Sequence, residues 1–132
     1  MADDDPVYVR YMVGDVSEAA AFYIEHLDFT LEMDAMPAFA EVSRGALHLL
    51  LSGPKSSAAR PMSDGAQPGP GGWNRIHLLV DDLDAEVSRL RTAGVTLRSD
   101  PVRGPGGKQA LAVDPSGNLV ELFQSSRSAD SR

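Results

Sequence analysis

The sequence predicts an α+β protein built from two tandem βαβββ modules. Three observations lead there. A strand, a helix and three further strands can be read twice along the 132 residues. The two readings agree in letters as well as in pattern: "MVGDVSEAAAFY" lies over "LVDDLDAEVSRL", "LDFTLEM" over "AGVTLRS", and "EVSRGALHLLL" over "AVDPSGNLVEL". Between them runs "SGPKSSAARPMSDGAQPGPGGW", rich in Gly, Pro, Ser and Ala and without periodicity, as expected of a linker or a functional flap. The chain is expected to form one domain over residues 1–132. Its first module spans about 7–52, the linker 53–73, the second module about 74–124, and a disordered tail 125–132.

The elements follow in order. "VYVRYMV" (Val7 to Val13) alternates and is rich in β-formers, so it reads as a strand. "GDVSEAAAFYIEHLDF" offers Asp15 or Ser17 as a helix cap, with Ala19, Ala20, Phe22, Tyr23 and Leu27 at helical spacing. "TLEMDA", "AFAEVSR" and "LHLLLSG" are three short strands separated by turn signals. After the linker, "RIHLLV" is a strand. "DDLDAEVSRLRTAG" is a helix, acidic in its first turn, basic late, and stopped by Gly94. "VTLRSD", "KQALAVD" and "NLVELFQ" are the last three strands, with "RGPGGKQ" (Arg103 to Gln109) as a glycine-rich loop that lacks a P-loop's Lys-Ser/Thr.

Composition narrows the function classes. No cysteine is present, which excludes a disulfide framework, a thiolate nucleophile and a Cys-type zinc site. A net charge of −7 argues against nucleic acid as a main partner, since phosphate binding needs a basic stripe. No apolar run approaches a membrane span, and the acidic "MADDDP" lacks the apolar region of a secretory signal, so a cytoplasmic protein is the expectation.

The paired βαβββ pattern, "V-x-D" opening each helix, "FY" in the first helix and "DPSGNLVELF" closing the second module carry a resemblance. They resemble the vicinal oxygen chelate superfamily: the glyoxalase, bleomycin-resistance and extradiol-dioxygenase group. The resemblance covers roughly Tyr8 to Gln124 and is most specific at "DPxGNxxEL". It implies that the sheets pair into an incomplete barrel with a concave cleft for a small-molecule ligand or substrate, and that the protein is a homodimer.

Strand alternation assigns side chains to faces. The apolar sets Val7, Val9, Tyr11, Val13; Leu47, Leu49, Leu51; Ile76, Leu78, Val80; and Val120, Leu122 suit the helix side. That leaves Tyr8, Arg10, His48, Arg75, His77, Glu121 and Phe123 for the opposite, cleft-lining face. Ionisable groups gathered on a concave face are costly unless they pair or bind something, which makes them the candidate site. Trp73, the sole tryptophan, is either core packing or a stacking wall for a planar ligand. Met33 and Met36 could form an adaptable wall, and His26 near a helix end is given no role.

Family enzymes hold one divalent metal with four side chains, one on the first and one on the last strand of each module. The resemblance carries those positions onto Tyr8, His48, Arg75 and Glu121, with His48 taken as the counterpart of Glu121. His48 and Glu121 suit Mn, Fe, Ni or Zn; tyrosine is a poor ligand, and arginine has no lone pair to offer. His77 could supply a third donor, but a two-residue displacement along a strand is about 6.5 Å. The alternative for the same residues is a buried fork-to-carboxylate pair of Arg75 and Glu121 with His48 a neutral neighbour. Three functions stay open. One is a ligand-binding protein without the full metal site. The second is a metal-dependent lyase, isomerase or dioxygenase. The third is a metal-free enzyme with Glu121 or His48 as base.

Overall fold

A computed structural model describes residues 5–126. They divide into two compact units, one up to Gly71 and one from Gly72 onward. The fold is mixed α+β, with two open sheets and two helices. Among the described residues no helix is long and apolar enough to cross a membrane.

In the first unit, β1 (Val7–Met12) leads to α1 (Val16–Leu27), followed by β2 (Thr30–Ala35), β3 (Phe39–Arg44) and β4 (Leu47–Ser52). Asp15 caps α1: its carboxylate accepts the Glu18 N–H at 2.9 Å, one of the orphan donors of a helix start. The helix ends at Asp28 in left-handed backbone. Val16, Ala19, Ala20, Phe22, Tyr23 and Leu27 are its buried stripe. The sheet order is β1-β4-β3-β2, so the first strand lies parallel to the last. Its helix side is made by Tyr11, Ala40, Val42, Leu49 and Leu51, all buried. Val7, expected on this core face, is 57% exposed because it stands at the strand's free start.

The Gly/Pro-rich stretch has local order of its own. The Gly53 N–H donates to Ala38 O at 2.9 Å, a 3-10 turn covers Ser57–Ala59, and the Gln67 side chain reaches Ala59 O. Short turns thus satisfy several of its backbone groups locally.

In the second unit, β5 (Ile76–Leu79) and α2 (Leu83–Thr92) precede β6 (Thr96–Leu97), β7 (Val102–Gly104), β8 (Gly107–Val113) and β9 (Leu119–Ser125). Asp82 caps α2 at the Ala85 N–H, and the Gln124 side chain accepts the Leu83 N–H at 2.8 Å. Leu83, Val87 and Leu90 face the sheet, against Ile76, Leu78, Ala110, Ala112, Val120 and Leu122. The order is β5-β9-β8-β6, with β7 also on β8 and β5 parallel to β9.

Three expectations are corrected here. "VTLRSD" forms a strand only at Thr96–Leu97, and the edge stays broken up to Pro101, which has no N–H to give to a ladder. The edge resumes as β7, so "RGPGGKQ" is a hairpin and not an open loop. Ser125 is the last residue of β9 and Ser126 donates to Gly106 O at 3.0 Å, so the expected disordered tail does not begin at residue 125; its remainder lies outside the described residues.

Gly107 is required by close approach, since a Cβ there would stand 2.1 Å from the Gln124 carbonyl oxygen. Gly104, at the other end of the same hairpin, has open space around it. Gly107→Ala is expected to lower unfolding free energy by about 2 kcal/mol and Gly104→Ala by less than about 0.5 kcal/mol in urea titrations. Equal losses would contradict the packing of this hairpin.

Candidate functional site

In the first unit, β1 beside β4 sets Tyr8 next to His48 and Arg10 next to Leu50. The Tyr8 and His48 rings lie 4.8 Å apart at an interplanar angle of 34°. β3 places Glu41 opposite Leu50 and therefore diagonal to His48. Glu41 Oε2 is 2.6 Å from His48 Nδ1, with side chains 14% and 19% exposed. A carboxylate can only accept, so Nδ1 carries a proton and Nε2 is the ring's uncommitted nitrogen. Arg10 follows on the same face. Its Nη1 donates to Ser52 Oγ at 2.7 Å, and that buried hydroxyl donates to Leu50 O at 3.3 Å.

Glu41 was missed in the sequence. The signal was present: Glu41 sits between Ala40 and Val42 in an alternating strand, the same pattern that marks Glu121. His48 thus has a carboxylate neighbour in its own module.

In the second unit, Glu121 is 8% exposed. The preceding turn sets its register. Asp114 Oδ1 accepts the N–H groups of Ser116 and Asn118 at 2.8 and 2.9 Å, and Asn118 Nδ2 donates to Asp114 Oδ2 at 3.2 Å. Arg75, just before β5, donates its Nε–H to Glu121 Oε1 at 3.0 Å. Its Nη1 turns to Trp73 O at 3.3 Å, so the contact is single and not the expected fork. His77 Nδ1 lies 3.5 Å from Glu121 Oε2, longer than a well-formed hydrogen bond. The His77 ring leans on Phe123 at 4.9 Å. Beside Phe123 a recess of about 180 Å³ opens toward Val102, Gly104 and Gln109. Trp73 is 63% exposed and carries the Arg98 guanidinium 4.6 Å above its ring, so it is not core packing. Met33 is half exposed.

Backbone hydrogen bonds fix which positions of the two modules correspond. Two residues before the capping aspartate, Val13 N donates to Ser52 O and Val80 N donates to Phe123 O. Ser52 therefore corresponds to Phe123, and two residues back Leu50 corresponds to Glu121. His48 corresponds to Leu119, which corrects its reading as the counterpart of Glu121. Tyr8 matches Arg75, and Arg10 matches His77. Leu50 and Arg75 are side chains that cannot coordinate a metal. Among the described residues, no group of three or more His, Asp or Glu side chains is placed to hold a metal ion.

The Arg75–Glu121 pair is partly wet, with side chains 28% and 11% exposed. A double-mutant cycle of Arg75→Met and Glu121→Gln should give a coupling of about 1–2 kcal/mol, below that of a fully buried pair. A coupling near zero in thermal or urea unfolding would mean that Glu121 is held by something else.

Comparison with known proteins agrees with this architecture. The family model described as Glyoxalase/Bleomycin resistance protein/Dioxygenase superfamily matches residues 6–122. A protein of Mycobacterium bovis named "Putative glyoxylase CFP32" is 30% identical over 92% of this chain. The chain spans about half the length of that relative, 46% of it. Among solved structures, TnmS3, an antibiotic binding protein from a Streptomyces species, is 28% identical, with a TM-score of 0.72 and coverage of 96% of this chain and 99% of its own. A lactoylglutathione lyase from Agrobacterium tumefaciens shares the fold, with a TM-score of 0.73 at 20% identity over 93% and 95% of the two chains. With the duplicated βαβββ modules, these matches establish that the chain belongs to the glyoxalase/bleomycin resistance protein/dioxygenase superfamily.

Proposed function

We propose that this protein binds a small organic ligand on the polar faces of its sheets and does so without a resident metal ion. One observation carries the reading. Glu121, the carboxylate that the family pattern would give to a metal, is engaged by Arg75 Nε and His77 Nδ1. The arginine supplies the positive charge that a buried carboxylate needs, so the carboxylate is compensated without a metal ion. Leu50, at the corresponding place in the first module, adds no donor. The residues present do not make the family's four-ligand set, and no chemical step is routed through a metal. The antibiotic-binding relative supports the reading, as a protein of the same fold named for binding and not for turnover.

A second reading has an observation of its own. Glu41 against His48 at 2.6 Å is a carboxylate that orients an imidazole, an arrangement that can take a proton from a bound substrate without a metal. In that reading the protein is a metal-free lyase or isomerase, and Glu41 is a positioning residue for His48. Glu121 is the weaker candidate base, because its oxygens already face Arg75 Nε and His77 Nδ1.

The reading is tested by metal analysis of protein purified without chelators. Substoichiometric Mn, Fe, Ni and Zn is expected, with calorimetric ligand binding unchanged by a chelator. One full equivalent of metal that is lost in both His48→Ala and Glu121→Ala would overturn it.

A further inference from the structure

The two modules present arginine differently, and the difference names a ligand class. Arg75 is neutralised by Glu121. Arg10 is not: among the described residues it forms no ion pair, and its one side-chain partner is the neutral Ser52 hydroxyl. The nearest carboxylate on the face, Glu41, stands across Leu50 and is engaged with His48. Ser52 is fully buried and its own proton is directed to Leu50 O, which leaves an oxygen lone pair to receive Arg10 Nη1. That bond holds one end of the guanidinium and leaves the remaining N–H donors of an exposed side chain without an anion.

Beside it on the same strand face stands Tyr8, 54% exposed, its ring backed by His48 at 4.8 Å. A fixed cation next to an open aromatic surface is complementary to a flat molecule that carries a negative oxygen pair.

From these contacts we propose that the first module selects planar ligands bearing a carboxylate, with Arg10 as the specificity-determining residue and Tyr8 as the stacking surface. Arg10 supplies parallel N–H donors to the carboxylate while Ser52 keeps the guanidinium in place. The proposal rests on the ligand-binding reading above and adds the charge and shape of the ligand.

The test uses the full chain and two probes of one shape, naphthoate and its neutral amide naphthamide, titrated by calorimetry at low salt. Naphthoate is expected to bind at least about tenfold more tightly, as a charge-assisted pair requires. Arg10→Gln should abolish that preference, bringing the affinities for naphthoate and naphthamide together. Arg10→Lys should restore only part of it, because an ammonium is not a fork. Should Arg10→Gln fold poorly, the acid-to-amide ratio of the unaltered protein still decides. Equal binding of the two probes would overturn the role of Arg10 and leave the ligand-binding reading standing. Failure of both probes to bind would overturn both.

Discussion

The parallel pairing of first and last strand inside each module governs everything that faces away from the helices. It runs along the whole strand ladder and ends in an equivalent backbone bond in each module, Val13 N to Ser52 O and Val80 N to Phe123 O. Once that bond is set, a period of two assigns each side chain of the paired strands to a face. Tyr8 must stand beside His48, and His77 beside Glu121. A slip of one residue would bury Arg10 and Glu121 under the helices and expose Leu49 and Leu122, which the apolar core does not permit. The helices hold this register through their caps. Asp15 and Asp82 start them at the same distance from the bonded valines, and Gln124 ties the start of α2 to β9.

Within that frame each module's polar face is organised by local charge compensation. Glu121 is nearly buried and has two cationic or potentially cationic neighbours. Glu41 and His48 satisfy one another. Arg10 forms no ion pair among the described residues and is held by a buried, neutral hydroxyl. A face whose charges were all internally matched would have little reason to prefer an ionic ligand.

Much of this was legible in the sequence. The duplication, the two helix caps and the face assignments follow from periodicity and from residues such as Asp15 and Asp82, whose roles are local. The Arg75–Glu121 contact was legible because both residues fall on polar positions of adjoining strands. Local reading failed where pairing decides. His48 lies at the same stage of its strand as Leu119, a register that the overlay of "EVSRGALHLLL" on "AVDPSGNLVEL" already carries and that pairing His48 with Glu121 by residue type passed over. Glu41 was passed over because its partner is diagonal, on a neighbouring strand, where sequence distance carries no information. The strand β7 was hidden by Pro and Gly, which normally end strands but here only interrupt an edge.

The internal repeat also accounts for how one backbone can carry two unlike faces. The helix-side residues of both modules do the same work, closing an apolar layer, and are similar in kind: Leu49 and Leu51 against Val120 and Leu122, Val42 against Ala112. The opposite face contributes little to that layer, so its residues are free to differ. Position by position they do: Tyr8 against Arg75, Arg10 against His77, His48 against Leu119, Leu50 against Glu121. Each swap exchanges a cation, an anion or a ring for something of another class, and none disturbs the strand pairing beneath it. A family metal site needs matched donors from both modules. This chain keeps a carboxylate in one module and has an aliphatic side chain at the matching place in the other, and an arginine neutralises the carboxylate. What the two faces offer is therefore a set of oriented donors and aromatic surfaces, chemistry suited to holding a molecule by shape and charge.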